Sequence, residues 1–488
     1  MSTSVDTRST ALKGNLGVAG IVFLVLAAVA PLTGMIVIAS LAIALGSGGG
    51  TPAMFAVMTV ILLLFSVGYA QMAKQLTNAG GFYAFVVKGL GRTAGLVAAM
   101  IAVVGYNCFV AGAVGTSGFF SAVVFESFTG LSTPWWAWSL GWVVLAWIFT
   151  RSGIDFSAKI LGVALILEVI ILIALDIAIL AQTGFAPEAW APTAWAGPTM
   201  GLGLLFAGTA FLGFEATGLF GEEARDPKRT IPRATYAAIL AIGVLAVVTT
   251  WAFVSAMGVG DAQEVALEHL ASGDLVFMLS DTYLGPVLTA VMQVLLIVSL
   301  FAALLALHNS ATRYLYAMGR VGVFPGALSQ TREKTGSPVV ASTTQFAFSV
   351  VVAMLFAVAG ADPILTLVPA FTGLGTLGII VMQAIAVVAV IVHFRRRRDP
   401  RWLTTLVLPA IGAIGLWVVT ALAFANFGMM AGSEDPLIGA LPWLLPIAAV
   451  AGLVIAYATR SRAPRVWQAL DQDLDRVGLE VAVETPLR

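Results

Sequence analysis

Residues 206–234 read FAGTAFLGFEATGLFGEEARDPKRTIPRA. An apolar, glycine-rich run carries one acid inside it, Glu215, and passes directly into a dense cluster of charges that also holds Pro227 and Pro232. Soluble domains are rarely built this way. An acid within such a run is expensive unless it faces a cavity or a partner, which makes Glu215 a candidate functional residue by default. The glycines around it, Gly208, Gly213 and Gly218, predict a helix that breaks rather than runs on.

The rest of the chain says what kind of protein holds this segment. Of 488 residues, 59% are hydrophobic and 10% charged, and the mean hydropathy is +0.98, far outside the usual range of soluble domains. An all-α integral membrane protein is expected. Apolar runs of roughly 20 residues recur along its length, enough for about twelve transmembrane helices, and no stretch remains for a separate soluble domain. The polar segment 1–15 leads into an apolar run without a small-residue cleavage pattern, so a removable signal peptide is not expected.

The runs lie near 16–45, 52–73, 94–122, 134–150, 156–182, 200–220, 233–258, 284–312, 339–360, 364–394, 402–425 and 440–459. The net charge of zero hides an asymmetry between the loops that join them. With 1–15 in the cytoplasm, all 25 Lys and Arg fall on the cytoplasmic side; the opposite loops carry none, as the positive-inside rule requires. A multi-pass protein of the cell membrane follows, with both tails, 1–15 and 460–488, in the cytoplasm. Cys108 stands alone inside the third run and reads as a packing residue. His269, His308 and His393 are too scattered for a metal site, so no metal or cofactor is expected.

The first run contains AVAPLTGMIVIAS at 28–40, where Pro31 removes a backbone donor and Gly34 loosens the chain in mid-membrane. Helix one is therefore expected to break. Five runs later GTAFLGFEATG repeats the interruption, so broken helices one and six stand at matching places in two groups of five. That spacing points to an inverted-repeat transporter, with repeats at 16–182 and 200–394 and peripheral helices at 402–459. Among the loops, GSGGGTP at 46–52 reads as a tight turn, 259–282 as a short surface helix over the outer mouth, and RRRRDPR at 395–401 as a topological anchor.

Two stretches resemble the amino acid, polyamine and organocation superfamily of permeases: GFEATGLFGEEARDPKRTIPRA at 213–234 and HNSATRYLYAMGRVGVFPGALSQTREKTGSPVVAS at 308–342. Both lie where that family places them, after helices six and eight, and the broken first helix agrees. The resemblance implies a LeuT-like five-plus-five fold with two peripheral helices, and transport of amino acids or related amines. Family members often have Gly-x-Gly in the unwound part of helix one; here it is APLTG, a departure that bears on how a carboxylate is held.

An amino acid at membrane depth brings two charges that both need partners. Since every Lys and Arg is cytoplasmic, the carboxylate must meet backbone: freed N–H groups at Ala30, Thr33 and Gly34, and the positive dipole end of the helical segment that begins at Pro31. The ammonium would meet freed carbonyls around Thr209, Ala210, Phe211, Leu212 and Gly213, with Phe211 and Phe214 closing over the ligand. Coupling to protons requires a titrating acid within the spans, and the candidates are Glu168, Asp176 and Glu215. Relatives can carry a protonatable lysine in helix five at about the place of Glu168, while Glu215 ends the Gly-Phe-Glu motif. Asp176, nearer the outer end of helix five, reads as solvated. Glu222, Glu223, Arg225, Asp226, Lys228, Arg229 and Arg233 are expected to form a cytoplasmic latch of ion pairs that breaks in each cycle.

The reading is a permease importing an amino acid by alternating access, with protons as the coupling ion, a small-molecule ligand and the lipid bilayer as partners, and no nucleic acid. An amino acid/amine exchanger and a polyamine permease are the alternatives within the fold, and a solute-sensing receptor is a remote one. No nucleophile and base constellation within the spans suggests an enzyme.

Overall fold

The computed structural model describes residues 16–75, 81–152, 158–215, 217, 224–332, 336–431, 436–464, 466–468 and 470. These are helical almost throughout; the β-contact among them is an isolated bridge between Leu16 and Ala224. The main helices are α1 (Val18–Val29), α2 (Thr51–Ala73), α3 (Arg92–Thr129), α4 (Trp135–Ser152), α5 (Ala158–Thr183), α6 (Met200–Thr209), α7 (Pro227–Met257), α8 (Pro286–Arg320), α9 (Val339–Val358), α10 (Val368–Arg396), α11 (Leu408–Ala425) and α12 (Leu444–Arg462). Nine helical runs among the described residues are long and apolar enough to cross a membrane. Of the helices outside that set, α1 and α6 are short because the chain breaks directly after them.

The break after α1 has a local cause. A proline disfavours the α region for the residue before it, and Ala30 takes left-handed φ/ψ of 54° and 74° while its N–H closes α1 on Leu26 O. Pro31 then sits at the first position of a second helical segment, where its missing N–H is no loss. That segment runs from Pro31 through wide π-type turns at Gly34–Ala39 and Ala42–Ser47. The interruption therefore falls at Ala30, one residue ahead of the Pro31–Gly34 stretch expected to unwind.

In the sixth run α6 stops at Thr209, and the chain continues in tight turns: Phe211 N donates to Gly208 O and Leu212 N to Thr209 O, both at 3.1 Å. Gly213, at φ 112°, makes a turn that a side chain would strain.

The core centres on α3 and α10, which pack through small residues. A Cβ on Gly375 would lie 2.5 Å from Phe109 Cβ, and one on Gly378 would lie 2.8 Å from Gly105 Cα. Backbones approach this closely in membranes where glycine removes the side chains between them. The contact fixes Phe109, Thr116 and Ser117 of α3 beside Thr372 of α10, the far wall of the cavity described next.

The run at 395–401 is spent on the protein itself. Arg396 Nη1 donates to Gly89 O, Arg397 Nη1 to Gln75 Oε1, and Arg401 Nη1 to Gln71 Oε1. Asp399 accepts from Arg401 at 2.7 Å, which holds its carboxyl down to about 2. These contacts staple the end of α10 to the end of α2 and to the short helix Gly81–Leu90.

Candidate functional site

The two breaks face each other. A Cβ on Gly213 would lie 3.3 Å from Val29 Cγ2, and one on Gly34 would lie 4.0 Å from Ala210 Cβ. Between them, α3, α8 and α10 enclose a cavity of about 50 Å³ lined by Thr33, Gly34, Thr209, Ala210 and Leu212, with Phe109, Ser117, Leu300, Leu307 and Thr372 opposite. Five of the residues expected to bind substrate are thus brought together. Ala30, Pro31, Phe211, Gly213 and Phe214 stand behind that wall. Phe211 and Phe214 are fully buried, and Phe214 packs edge-on against Phe65 at 6.2 Å, because the turns at 210–215 direct both rings into the core. The Thr209 carbonyl, a candidate for an ammonium, accepts from Leu212 N, and its hydroxyl shares a 2.8 Å hydrogen bond with Thr376.

Beside the cavity the start of the second α1 segment holds an internal carboxyl group. Leu32 N donates to Glu168 Oε2 at 3.3 Å, Ser299 Oγ of α8 donates to the same oxygen at 2.9 Å, and Thr33 donates to Ser299 Oγ through both N (3.3 Å) and Oγ1 (3.0 Å). Glu168 is 4% exposed. Of the backbone donors expected to receive a substrate carboxylate, Thr33 N is engaged by the Ser299 hydroxyl, and Ala30 N and Gly34 N close helical bonds on Leu26 O and Ala30 O; the carboxyl is met instead by the neighbouring Leu32 N, and one acid joins α1, α5 and α8.

Glu215 is bonded differently. Its Oε2 accepts from Gly213 N at 2.9 Å, its Oε1 accepts from Tyr106 Oη at 2.8 Å, and Tyr69 Oη donates to its main-chain carbonyl at 3.2 Å. Tyr106 stacks on Tyr314 of α8 with centroids 5.2 Å apart. Glu215 therefore caps the unwound turn it belongs to. Asp176 corrects an expectation: it is 4% exposed rather than solvated, because it faces α7, where Thr249 Oγ1 donates to its Oδ2 at 2.7 Å.

Ser299, Tyr69 and Tyr106 were not among the residues expected at the site. Ser299 is a lone hydroxyl in the apolar run LLIVSLFAALLAL at 295–307, and Tyr106 a lone phenol in AVVGYNCFV at 102–110; each is a weak signal.

Glu222 and Glu223 of the expected latch lie outside the described residues. Arg225, Asp226, Lys228, Arg229 and Arg233 are exposed. Arg229 Nε lies 3.8 Å from Asp226 Oδ2, one helical turn away. Among the described residues a backbone tie also crosses this end of the molecule: Arg225 N donates to Leu16 O at 3.0 Å, joining the segment before α1 to the loop after the sixth run.

Comparison with known proteins decides the class. Residues 14–455 match the family described as amino acid permease. The chain belongs to that family. The permease is 24% identical to the branched-chain amino acid permease BcaP of Bacillus subtilis (strain 168) over 437 residues, 85% of this chain and 86% of that protein. It is 27% identical over 393 residues to an uncharacterized transporter of Mycobacterium tuberculosis (strain ATCC 25618 / H37Rv), covering 80% and 82%. It is 22% identical over 299 residues, 57% and 61%, to the low-affinity putrescine importer PlaP of Escherichia coli (strain K12). The resemblance read from 213–234 and 308–342 agrees with the family match. The permease is a multi-pass membrane transporter of a small molecule and not an enzyme.

Proposed function

We propose that the permease imports amino acids with apolar side chains across the cell membrane in symport with protons, by alternating access of two five-helix inverted repeats, 16–182 and 200–394. In this reading α1 to α12 are twelve crossings and both tails are cytoplasmic. The observation that carries it is the bond from Leu32 N to Glu168. A helix start attracts one anion. While Glu168 is ionised it fills that place. Once protonated it loses the charge that holds it there, and the N–H of Leu32 becomes available to a substrate carboxylate. Proton and substrate then load together, which is the requirement of symport. The apolar side chain would lie among Val37, Ala113, Leu300 and Leu307, in keeping with the name of the Bacillus relative. At about 50 Å³ the cavity is far below the roughly 300 Å³ and more of a typical ligand site, so loading requires the cavity to open.

A second reading, an amine or polyamine permease, is favoured by the same bond from the other side. A site whose anion place is filled by its own carboxylate suits a cation, and one relative is named a putrescine importer. Uptake into proteoliposomes separates the two. Branched-chain amino acids and putrescine are offered under imposed proton or sodium gradients. Glu168→Gln should still exchange a branched-chain amino acid but no longer accumulate it against its gradient when the outside is acidified. Loss of all putrescine uptake in the same variant, with no amino acid uptake in the wild type, would favour the amine reading. Accumulation driven by sodium alone, or proton-driven accumulation intact in both Glu168→Gln and Glu215→Gln, sinks the coupling scheme.

A further inference from the structure

Behind the cavity between the two breaks a second hollow, of about 600 Å³, opens on the flank of the bundle between α1, α5 and α7. Its walls are aliphatic, and Ile173 and Ile177 of α5 with Leu240 and Val244 of α7 carry them out to the exposed surface. For a membrane-spanning bundle that surface meets lipid. One lining residue does not fit an apolar crevice. Asp176 is buried, its Oδ2 is satisfied by Thr249, and its Oδ1 has no hydrogen-bond partner among the described residues. A buried acceptor without a donor is costly, and no packing argument explains an aspartate in an aliphatic wall.

We propose that this crevice is a binding site, entered sideways from the bilayer, for a single-chain amphiphile with a primary ammonium head. The alkyl chain lies along the aliphatic walls and the ammonium donates to Asp176 Oδ1. Charge and shape select this occupant. The head must donate and should be cationic, whereas a zwitterionic phospholipid head would bring its phosphate beside the carboxylate. Asp176 lies seven residues before Thr183, the end of α5, about 10 Å along the helix at ~1.5 Å per residue, within reach of a small head carried in from the interface. The crevice shares Val29, Gly34 and Ala210 with the substrate cavity, so an occupant braces both helix breaks from behind. It should slow turnover without competing with substrate.

The test is photolabelling of the full chain in lipid nanodiscs by a decylamine carrying a mid-chain diazirine, with labelled peptides identified by mass spectrometry. Labels are expected within 169–180 and 240–248, displaced by excess decylamine and not by decyl sulfate. Asp176→Asn should reduce them about tenfold, the scale of a charge-assisted hydrogen bond. Ala241→Phe, which fills the crevice from its exposed rim and leaves Asp176 intact, should abolish them even where Asp176→Asn folds poorly. Labels spread evenly over lipid-facing helices, absent from the wild type, or unchanged in Asp176→Asn or Ala241→Phe would overturn the proposal. So would labels protected because a second copy of the chain covers this flank.

Discussion

Glu215 bonds inside its own turn, to Gly213 N, and to Tyr106 of α3, whereas Glu168 reaches from α5 to the start of the second α1 segment and to Ser299 of α8. In the mechanism proposed above, the difference separates a cap from a switch. Loss of charge at Glu215 changes how one unwound turn is held; loss of charge at Glu168 changes how three helices are joined. If Glu168 and Ser299 act as one unit, their removal must be non-additive. Ser299→Ala alone should lower apparent stability by about 1–3 kcal/mol, the scale of a lost hydrogen bond to a buried acid. In a Glu168→Gln background it should cost less, with a coupling of about 0.5–3 kcal/mol. Unfolding of the four proteins in detergent measures the cycle, and strict additivity would mean that Ser299 serves the backbone of Thr33 alone. Both acids were legible in the sequence because a carboxyl in an apolar run is anomalous on any register. Ser299 and Tyr106 were not, since hydroxyls are common in membrane helices and only the rotation of α8 and α3 brings these two inward.

The breaks in the first and sixth runs were legible as elements, through Pro31 and the glycines around Glu215, but their details were set by neighbours. Pro31 passes the interruption back to Ala30, and Gly213 rather than Gly208 supplies the positive φ. Of the expected latch, the pair Arg229 and Asp226 stands 3.8 Å apart. The latch's described charges are exposed, where ion pairs contribute about 0–1 kcal/mol, and a backbone bridge from Arg225 to Leu16 also makes a connection. Nor did the sequence reading single out the glycine seam of α3 and α10, because glycines at Gly105, Gly112, Gly375 and Gly378 read equally well as flexibility. Their closeness predicts the opposite of flexibility. Gly375→Leu places a Cβ 2.5 Å from Phe109 Cβ, so the two helices must part. Overpacking of this kind typically costs about 1–3 kcal/mol, and the wall of the cavity between the two breaks moves with it. Gly141→Leu on α4, where nothing lies within 4 Å, should stay within about 0.5 kcal/mol. Melting temperature and yield of monodisperse protein compare the two, and equal behaviour would remove the seam from the account.

At the scale of the whole molecule, the end opposite the arginine-rich loops is sealed by the turn at 46–50 that joins the first two runs. Gln263 Nε2 of the short helix Ala262–Glu268 donates to Ala44 O at 3.1 Å, and a Cβ on Gly49 would lie 2.1 Å from Val259 O. GSGGG was legible as a tight turn; that its bareness lets the 259–268 segment close down on it is a tertiary fact. The alternating access proposed above would give this contact a task, since it would have to open for loading and close again before the cavity turned to the cytoplasm. Gly49→Val cannot close it without moving backbone, because the added carbon meets a carbonyl rather than the end of a flexible side chain. The variant should therefore stay open on the outer side, bind substrate and fail to accumulate it. Its state can be read in a Cys108→Ser background with Ser117→Cys as reporter, since Ser117 lines the cavity and is 1% exposed in the sealed form. A membrane-impermeant thiol reagent added outside should modify that cysteine quickly in Gly49→Val and slowly in its absence. If both react alike and Gly49→Val still accumulates substrate, the turn is fixed scaffold and the moving barrier lies elsewhere in the bundle.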